Sequence, residues 1–157
     1  MDAIDLKIIQ ELTRNGRMSF AALGRRVNLS TPAVHYRVKA LERSGVIRGY
    51  QARIDPDAVG LGLSAMVAVD TLHRLDAVVE TLEGFPEVET CWSAAGTTDL
   101  LLRVRVPDAP ALERLLVRIR EIDGVDRTRS TVLLATRFER EPDPAAVARE
   151  APAAARA

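Results

Sequence analysis

Residues 29–47 read LSTPAVHYRVKALERSGVI. Ser30 carries the short hydroxyl side chain of a helix N-cap, and Pro32 stands in the first turn, where its missing N–H costs nothing. Val34, Val38 and Leu41 recur at i, i+4 and i+7, the spacing of one helix face. Gly45 marks the stop. Stepping 100° per residue from that apolar stripe turns Pro32, Tyr36, Lys39 and Arg43 away from it, with Thr31, Ala33 and His35 alongside. Glu42 falls nearer the inner edge. A solvated helix back ordinarily mixes charge signs, whereas this one gathers Tyr, His, Lys and Arg. Two readings follow: a plain packing helix, or a recognition helix for the major groove of duplex DNA.

The residues upstream bear on that choice. A helix is expected over 3–15, capped by Asp2, with Asp5 suited to its positive end and Ile8, Ile9 and Leu12 on one side. Gly16 closes it. A second helix starts after Ser19 and buries Leu23 and Val27. Asn28, Leu29 and Ser30 separate it from the third. Two helices joined by so short a turn, behind a supporting helix, make a helix-turn-helix. On the DNA reading, Ser30, Thr31, Pro32 and Ala33 mark a helix start whose free N–H groups are open to phosphate. Lys39 and Arg43 neutralise further phosphates, Tyr36 and His35 reach base edges, and Arg25 and Arg26 hold the backbone from the second helix. Charge distribution agrees. Residues 1–55 hold ten Lys and Arg against five Asp and Glu, and the remainder twelve against seventeen, although the whole chain is formally neutral. A basic first part beside an acidic remainder points to an anionic partner for the first part.

Downstream, Val46, Ile47, Tyr50 and Ile54 favour a strand that stops at Asp55-Pro56. A linker with two glycines, DPDAVGLGL, follows. Then the pattern changes: a strand over 64–72, a helix over 75–85 with Leu75, Val78, Val79 and Leu82 inward, and strands over 88–96 and 98–106 hinged at Thr97. A helix over 109–124 buries Leu112, Leu115, Leu116 and Ile119, and a final strand spans 125–138. The order βαββαβ predicts a ferredoxin-like antiparallel sheet with both helices on one face. Met66, Ala68, Trp92 and Val132 are expected to line the uncovered face, and a small domain with such a face pairs with another copy. The fold class is therefore α+β: a helix-turn-helix domain over 1–47, a linker strand and hinge over 48–62, the βαββαβ domain over 63–139, and a mobile Pro/Ala-rich tail over 140–157.

No apolar run approaches the roughly 20 residues of a membrane span, and the start MDAIDLKIIQ is acidic where a secretory signal would be basic. With one cysteine, Cys91, no internal disulfide framework exists. A cytoplasmic protein with no membrane partner is expected. His35 and His73 lack companions for a metal site, and no phosphate loop, zinc pattern or nucleophile elbow appears. No cofactor, metal or catalytic residue is assigned.

The two halves together resemble the leucine-responsive regulator and asparagine-operon regulator (Lrp/AsnC) family of transcription factors, over about residues 2–139. NGRMSFAALGRRVNLS and HYRVKALERSGVIRGYQARIDP look like the family's winged helix-turn-helix and the strand after it. AAGTTDLLLRVRV and RTRST (127–131) are similar to the hairpin and last strand of its effector domain. The resemblance implies dimers that assemble into octamers, and an amino acid bound near the hairpin loop as regulatory ligand, shifting DNA affinity. Residues suited to that ligand are Ala95, Gly96, Thr97, Thr98 and Asp99 of the loop, with Thr128 and Ser130. Gly96 admits close backbone approach, Asp99 can take the ammonium, and the hydroxyls can serve the carboxylate. The family's loop commonly has an acid directly after the glycine, where Thr97 stands here. The alternative for this loop is a tight hairpin and nothing more. Two other functions stand beside the regulator: a tetrapyrrole decarboxylase, as some proteins resembling this family are, and an effector-binding protein without DNA binding.

Overall fold

A computed structural model of the chain describes residues 1–140. The expected tail over 140–157 lies, from residue 141 onward, outside the described residues. The chain forms two compact units that divide between Arg53 and Ile54, with Glu139 grouping with the first.

The first unit is three helices, α1 (Ala3–Arg14), α2 (Phe20–Val27) and α3 (Thr31–Arg43). Each start is capped as its sequence dictates. Asp2 and Asp5 form a reciprocal capping box at α1, Ser19 caps α2, and Ser30 accepts from the Ala33 N–H at α3. Ile8, Leu12, Leu23, Val27, Val34, Val38 and Leu41 are buried together, with Ile4, Ile9, Met18, Phe20, Leu29 and Ile47 around them. The inner stripe of α3 is thus the expected one. Arg37 adds a polar tie from the side: its guanidinium reaches Asp2 at 2.7 Å and Asp5 at 2.8 Å, fastening α3 to the first turn of α1.

The α2–α3 turn rests on two backbone devices. Asn28 adopts a left-handed conformation, φ 56°, and the Leu29 N–H donates to the Gly24 carbonyl at 2.9 Å. Gly24 is buried, and a β-carbon there would lie 2.6 Å from the Leu29 carbonyl oxygen.

Residues 48–55 carry no strand, contrary to the expectation for the linker. A strand needs a neighbouring ladder for its N–H and C=O groups, and within the described residues none lies beside this segment. Asp57–Val59 form a single 3-10 turn.

The second unit carries β1 (Leu63–Thr71), α4 (Leu75–Glu83), β2 (Val88–Ser93), β3 (Leu100–Val106), α5 (Ala109–Arg120) and β4 (Val125–Leu133). The sheet order β2-β3-β1-β4, antiparallel throughout, is the ferredoxin-like arrangement. Ala65, Val67, Val69, Leu100, Leu102, Val104 and Val106 face the helices and pack on Val78, Leu82, Leu112, Leu115 and Ile119. Leu75 departs from its expected inward place: it opens α4 directly after the left-handed Arg74 and stays 38% exposed.

The register sorts the other face. Met66 stands opposite Arg103 and Thr131, and Ala68 opposite Leu101 and Arg129. Leu101 in turn pairs with Trp92. Met66, Ala68 and Trp92 therefore share the uncovered face, as expected. Val132 does not. It pairs with Ala65, a helix-side residue, and Leu133 opposite Ser64 takes the open-face position. The hairpin also differs from expectation: β2 ends at Ser93 and β3 begins at Leu100, leaving a six-residue loop over 94–99.

Replacing Gly24 with Ala tests the turn. A helical Gly→Ala change ordinarily gains up to about 1 kcal/mol. Here a backbone oxygen at 2.6 Å must move, and overpacking costs about 1–3 kcal/mol. The expected outcome is a net loss of stability, seen as a lowered Tm of the helical unit by circular dichroism. A raised Tm would contradict the close approach.

Candidate functional site

The site residues assigned from the sequence fall into two groups, one in each unit. In the first unit, Tyr36 is 69% exposed and Thr31, Pro32, His35, Lys39 and Arg43 are exposed with it, while Ala33 is half-buried. Pro32, Tyr36, Lys39 and Arg43 follow one another at spacings of four, three and four, so they form one line along the outer side of α3. Ser30 sits at its start, its hydroxyl spent on the Ala33 N–H at 3.4 Å. His35 leans edge-on against Phe20, with ring centroids 5.2 Å apart, which fixes the imidazole at the rim of the face. Arg25 and Arg26 are exposed in the last turn of α2, and Arg26 is held by Glu11 at 3.1 Å. Lys39 donates to Glu42 at 2.7 Å. Arg37, the remaining cation of α3, is turned to α1 and lies off this line. The arrangement offers a helix N-terminus, an aromatic hydroxyl and cations along one convex edge, the chemistry that meets a phosphate backbone and base edges.

In the second unit, the 94–99 loop is tied at several points. The Ala94 N–H donates to the Asp99 carbonyl at 2.9 Å, closing the loop, and the Asp99 N–H donates to Val69 O at 3.2 Å. One carboxylate oxygen of Asp99 accepts from both the N–H and the hydroxyl of Thr71, at 2.7 and 3.0 Å. Thr98 donates its hydroxyl to Val69 O at 3.0 Å. Ala95, Gly96 and Thr97 stay exposed at the tip, where Gly96 has φ 150° and open space around it. Asp99 is therefore a structural tie of the loop as well as a carboxylate, a role its sequence position did not reveal. Thr128 and Ser130 pair with Val69 and Val67 and so lie on the helix side of β4. Thr128 reaches the strand position whose carbonyl also receives Thr98, and Ser130 lies two residues further along.

Sequence reasoning passed over the residues that brace this loop from the open face. Arg127 and Arg129 both bond to the Asp70 carboxylate, at 2.9 Å each for the closest contacts, and Arg129 also donates to Thr97 O at 3.3 Å. The alternation Arg-Thr-Arg over 127–129 was the available signal, because period two places both guanidiniums on one face. The Arg127 guanidinium first, with Arg129 beside it, holds the Asp70 carboxyl down to about 2.

Comparison with known proteins resolves the family. Residues 1–48 match the family model of winged helix-turn-helix DNA-binding domains, and residues 64–143 match that of the Lrp/AsnC ligand binding domain. The chain belongs to the Lrp/AsnC family of transcriptional regulators. It is 47% identical over 138 residues to the HTH-type transcriptional regulator LrpA of Mycobacterium tuberculosis, covering 87% of this chain and 91% of that protein. Against the leucine-responsive regulatory protein of Haemophilus influenzae it is 35% identical, over 85% of this chain and 84% of the other. Among solved structures, the feast or famine regulatory protein of M. tuberculosis complexed with L-methionine superposes with a TM-score of 0.86 at 46% identity, covering 91% of this chain and 99% of that one. This Lrp/AsnC chain is thus a DNA-binding regulator with a ligand-binding second domain, and its fold class is the expected one. Among the described residues no helix is long and apolar enough to cross a membrane.

The Asp70 brace has a measurable signature. Its carboxyl is more acidic in the folded protein than an ordinary aspartate near 4. Its stabilising contribution is therefore complete above about pH 4 and is lost only as pH falls through about 2. Carboxyl carbon NMR should show Asp70 titrating near 2. A midpoint near 4 would mean that the two arginines do not hold it.

Proposed function

We propose that the outer face of α3 reads duplex DNA and that the 94–99 loop helps bind an amino acid that tunes this. In that reading Ser30, Thr31, Pro32 and Ala33 meet phosphate at the helix start, Lys39 and Arg43 meet it further along, and Arg25 and Arg26 hold the backbone from α2. Tyr36 and His35 face the bases. The observation that carries it is the outward line Pro32–Tyr36–Lys39–Arg43 on a helix whose opposite side is fully buried. Support for the ligand comes from two relatives: the M. tuberculosis regulator above and one from Neisseria meningitidis are both described as L-methionine complexes. The Neisseria structure is 33% identical with a TM-score of 0.84, covering 88% of this chain and 93% of that one.

For this chain we assign Ala95, Gly96, Thr97, Thr98 and Asp99, with Thr128 and Ser130, to the amino acid. Asp99 already accepts two hydrogen bonds from Thr71 through one oxygen, so an ammonium would use its other oxygen. Such an arrangement would couple ligand binding to the end of β1. The working form is a dimer, assembling into octamers, with the exposed apolar face of the sheet supplying contact area. The protein acts in the cytoplasm, as a regulator and not as an enzyme, and needs no cofactor.

Retardation of labelled duplexes across a salt series tests the DNA face. Replacing Lys39 and Arg43 with Ala should weaken binding on all sequences and reduce the salt slope by roughly one for each phosphate no longer neutralised. Tyr36→Phe should alter sequence preference with a smaller effect on overall affinity. Binding by the double Ala variant equal to that of the parent would reject the assignment. Calorimetric titration with the twenty amino acids, L-methionine first, tests the ligand half. Heat from one or more amino acids, abolished in Asp99→Ala, is the expected result.

A further inference from the structure

Lys39 is not idle in the DNA-free protein. Its ammonium sits 2.7 Å from Glu42 Oε2, one turn further along α3. The other oxygen, Oε1, accepts from the Tyr50 hydroxyl at 3.1 Å. Tyr50 belongs to the segment that leaves α3, and its ring lies over the α1–α2 turn, where a β-carbon on Gly16 would stand 3.4 Å from Cδ1. A single carboxylate therefore joins a cation of the outer face to an aromatic side chain of the outgoing segment. Lys39 first, then Tyr50, pull the Glu42 carboxyl below its ordinary range, so it is charged at neutral pH.

Two oxygens bearing a negative charge, presented to an ammonium at hydrogen-bond distance, resemble what a DNA phosphate presents. Lys39 has donors for both, but its single positive charge is shared if it holds both. We propose that Glu42 is an internal competitor for Lys39, occupying the lysine until a duplex displaces it, and that Tyr50 is the positioning residue that keeps the carboxylate there. The consequence is a built-in reduction of DNA affinity whose size depends on where the segment after α3 lies. When Tyr50 holds Glu42, the lysine is held as well. When that segment moves, the carboxylate loses its second anchor and the lysine is freer to reach phosphate. This inference rests on the reading that Lys39 contacts DNA.

The test is a double-mutant cycle with full-length protein and a fluorescent duplex at one fixed, low salt concentration. Glu42→Gln should bind about two- to fivefold more tightly than the parent, the range expected from releasing one exposed ion pair. The gain must require the lysine. In a Lys39→Ala background, Glu42→Gln should change affinity by less than about twofold, the limit of independent behaviour. Tyr50→Phe should give a smaller gain in the same direction, and it also serves as the test should Glu42→Gln fail to fold. An equal gain with and without Lys39 would mean that Glu42 merely repels the duplex, and would overturn the proposal. So would parent-like affinity in both Glu42→Gln and Tyr50→Phe while Lys39→Ala binds weakly, which leaves the DNA face intact. Parent-like binding by Lys39→Ala would instead remove the DNA contact itself, and the competition with it.

Discussion

What the first unit shows to solvent follows from how α3 is seated. Val34 and Val38 are completely buried and Leu41 nearly so, and together these three fix which side of the helix faces inward. Burial of each such side chain contributes about 1.5–3 kcal/mol. Arg37 adds a lateral restraint through Asp2 and Asp5. The Gly24 approach to Leu29 sets how close α2 comes to the start of α3. These constraints act on the inner side and the flank, yet their result appears on the outside. They decide that Tyr36, Lys39 and Arg43 are the residues presented outward.

The second unit divides its labour by sheet face. On the helix side, alternate residues of β1 and β3 complete an aliphatic core. On the other side β1, β2 and β3 carry Met66, Ala68, Trp92 and Leu101 beside a charged group made by Asp70, Arg127 and Arg129. Asp70 connects the two levels of organisation. It pairs the end of β1 with β4, and Arg129 carries that restraint to the Thr97 carbonyl in the loop. The loop is thus held through β1 by Thr98 and Asp99 and through β4 by Arg129, with only its tip left open.

Local features were legible in the sequence and long-range ones were not. Ser30, Pro32 and Gly45 bracket α3 because caps and stops act within one turn, and the Val34–Val38–Leu41 stripe needs only the helical period. Sheet topology was equally accessible from the βαββαβ order. Register was not. The run Val132-Leu133-Leu134 is apolar at consecutive positions, so alternation cannot say which residue faces which side. The register irregularity at Asp70/Thr71 further breaks the count. The Asp70–Arg129 pair spans 59 positions and exists only once that register is fixed. Strand propensity in VIRGYQARI was real as composition, but a strand also requires a partner, which propensity does not supply. In the site, Asp99 was recognisable as the loop's carboxylate, while its bond to Thr71 depended on how the loop folds back on β1.

The most direct measurement is photochemical. Duplexes selected by the protein from a random pool, with bromouracil in place of thymine, would be cross-linked and the attached peptides located by mass spectrometry. Attachment within residues 30–43, centred on Tyr36, is the predicted result. Attachment confined to the β-sheet domain, with the α3 peptide unmodified, would contradict a DNA-reading role for that helix.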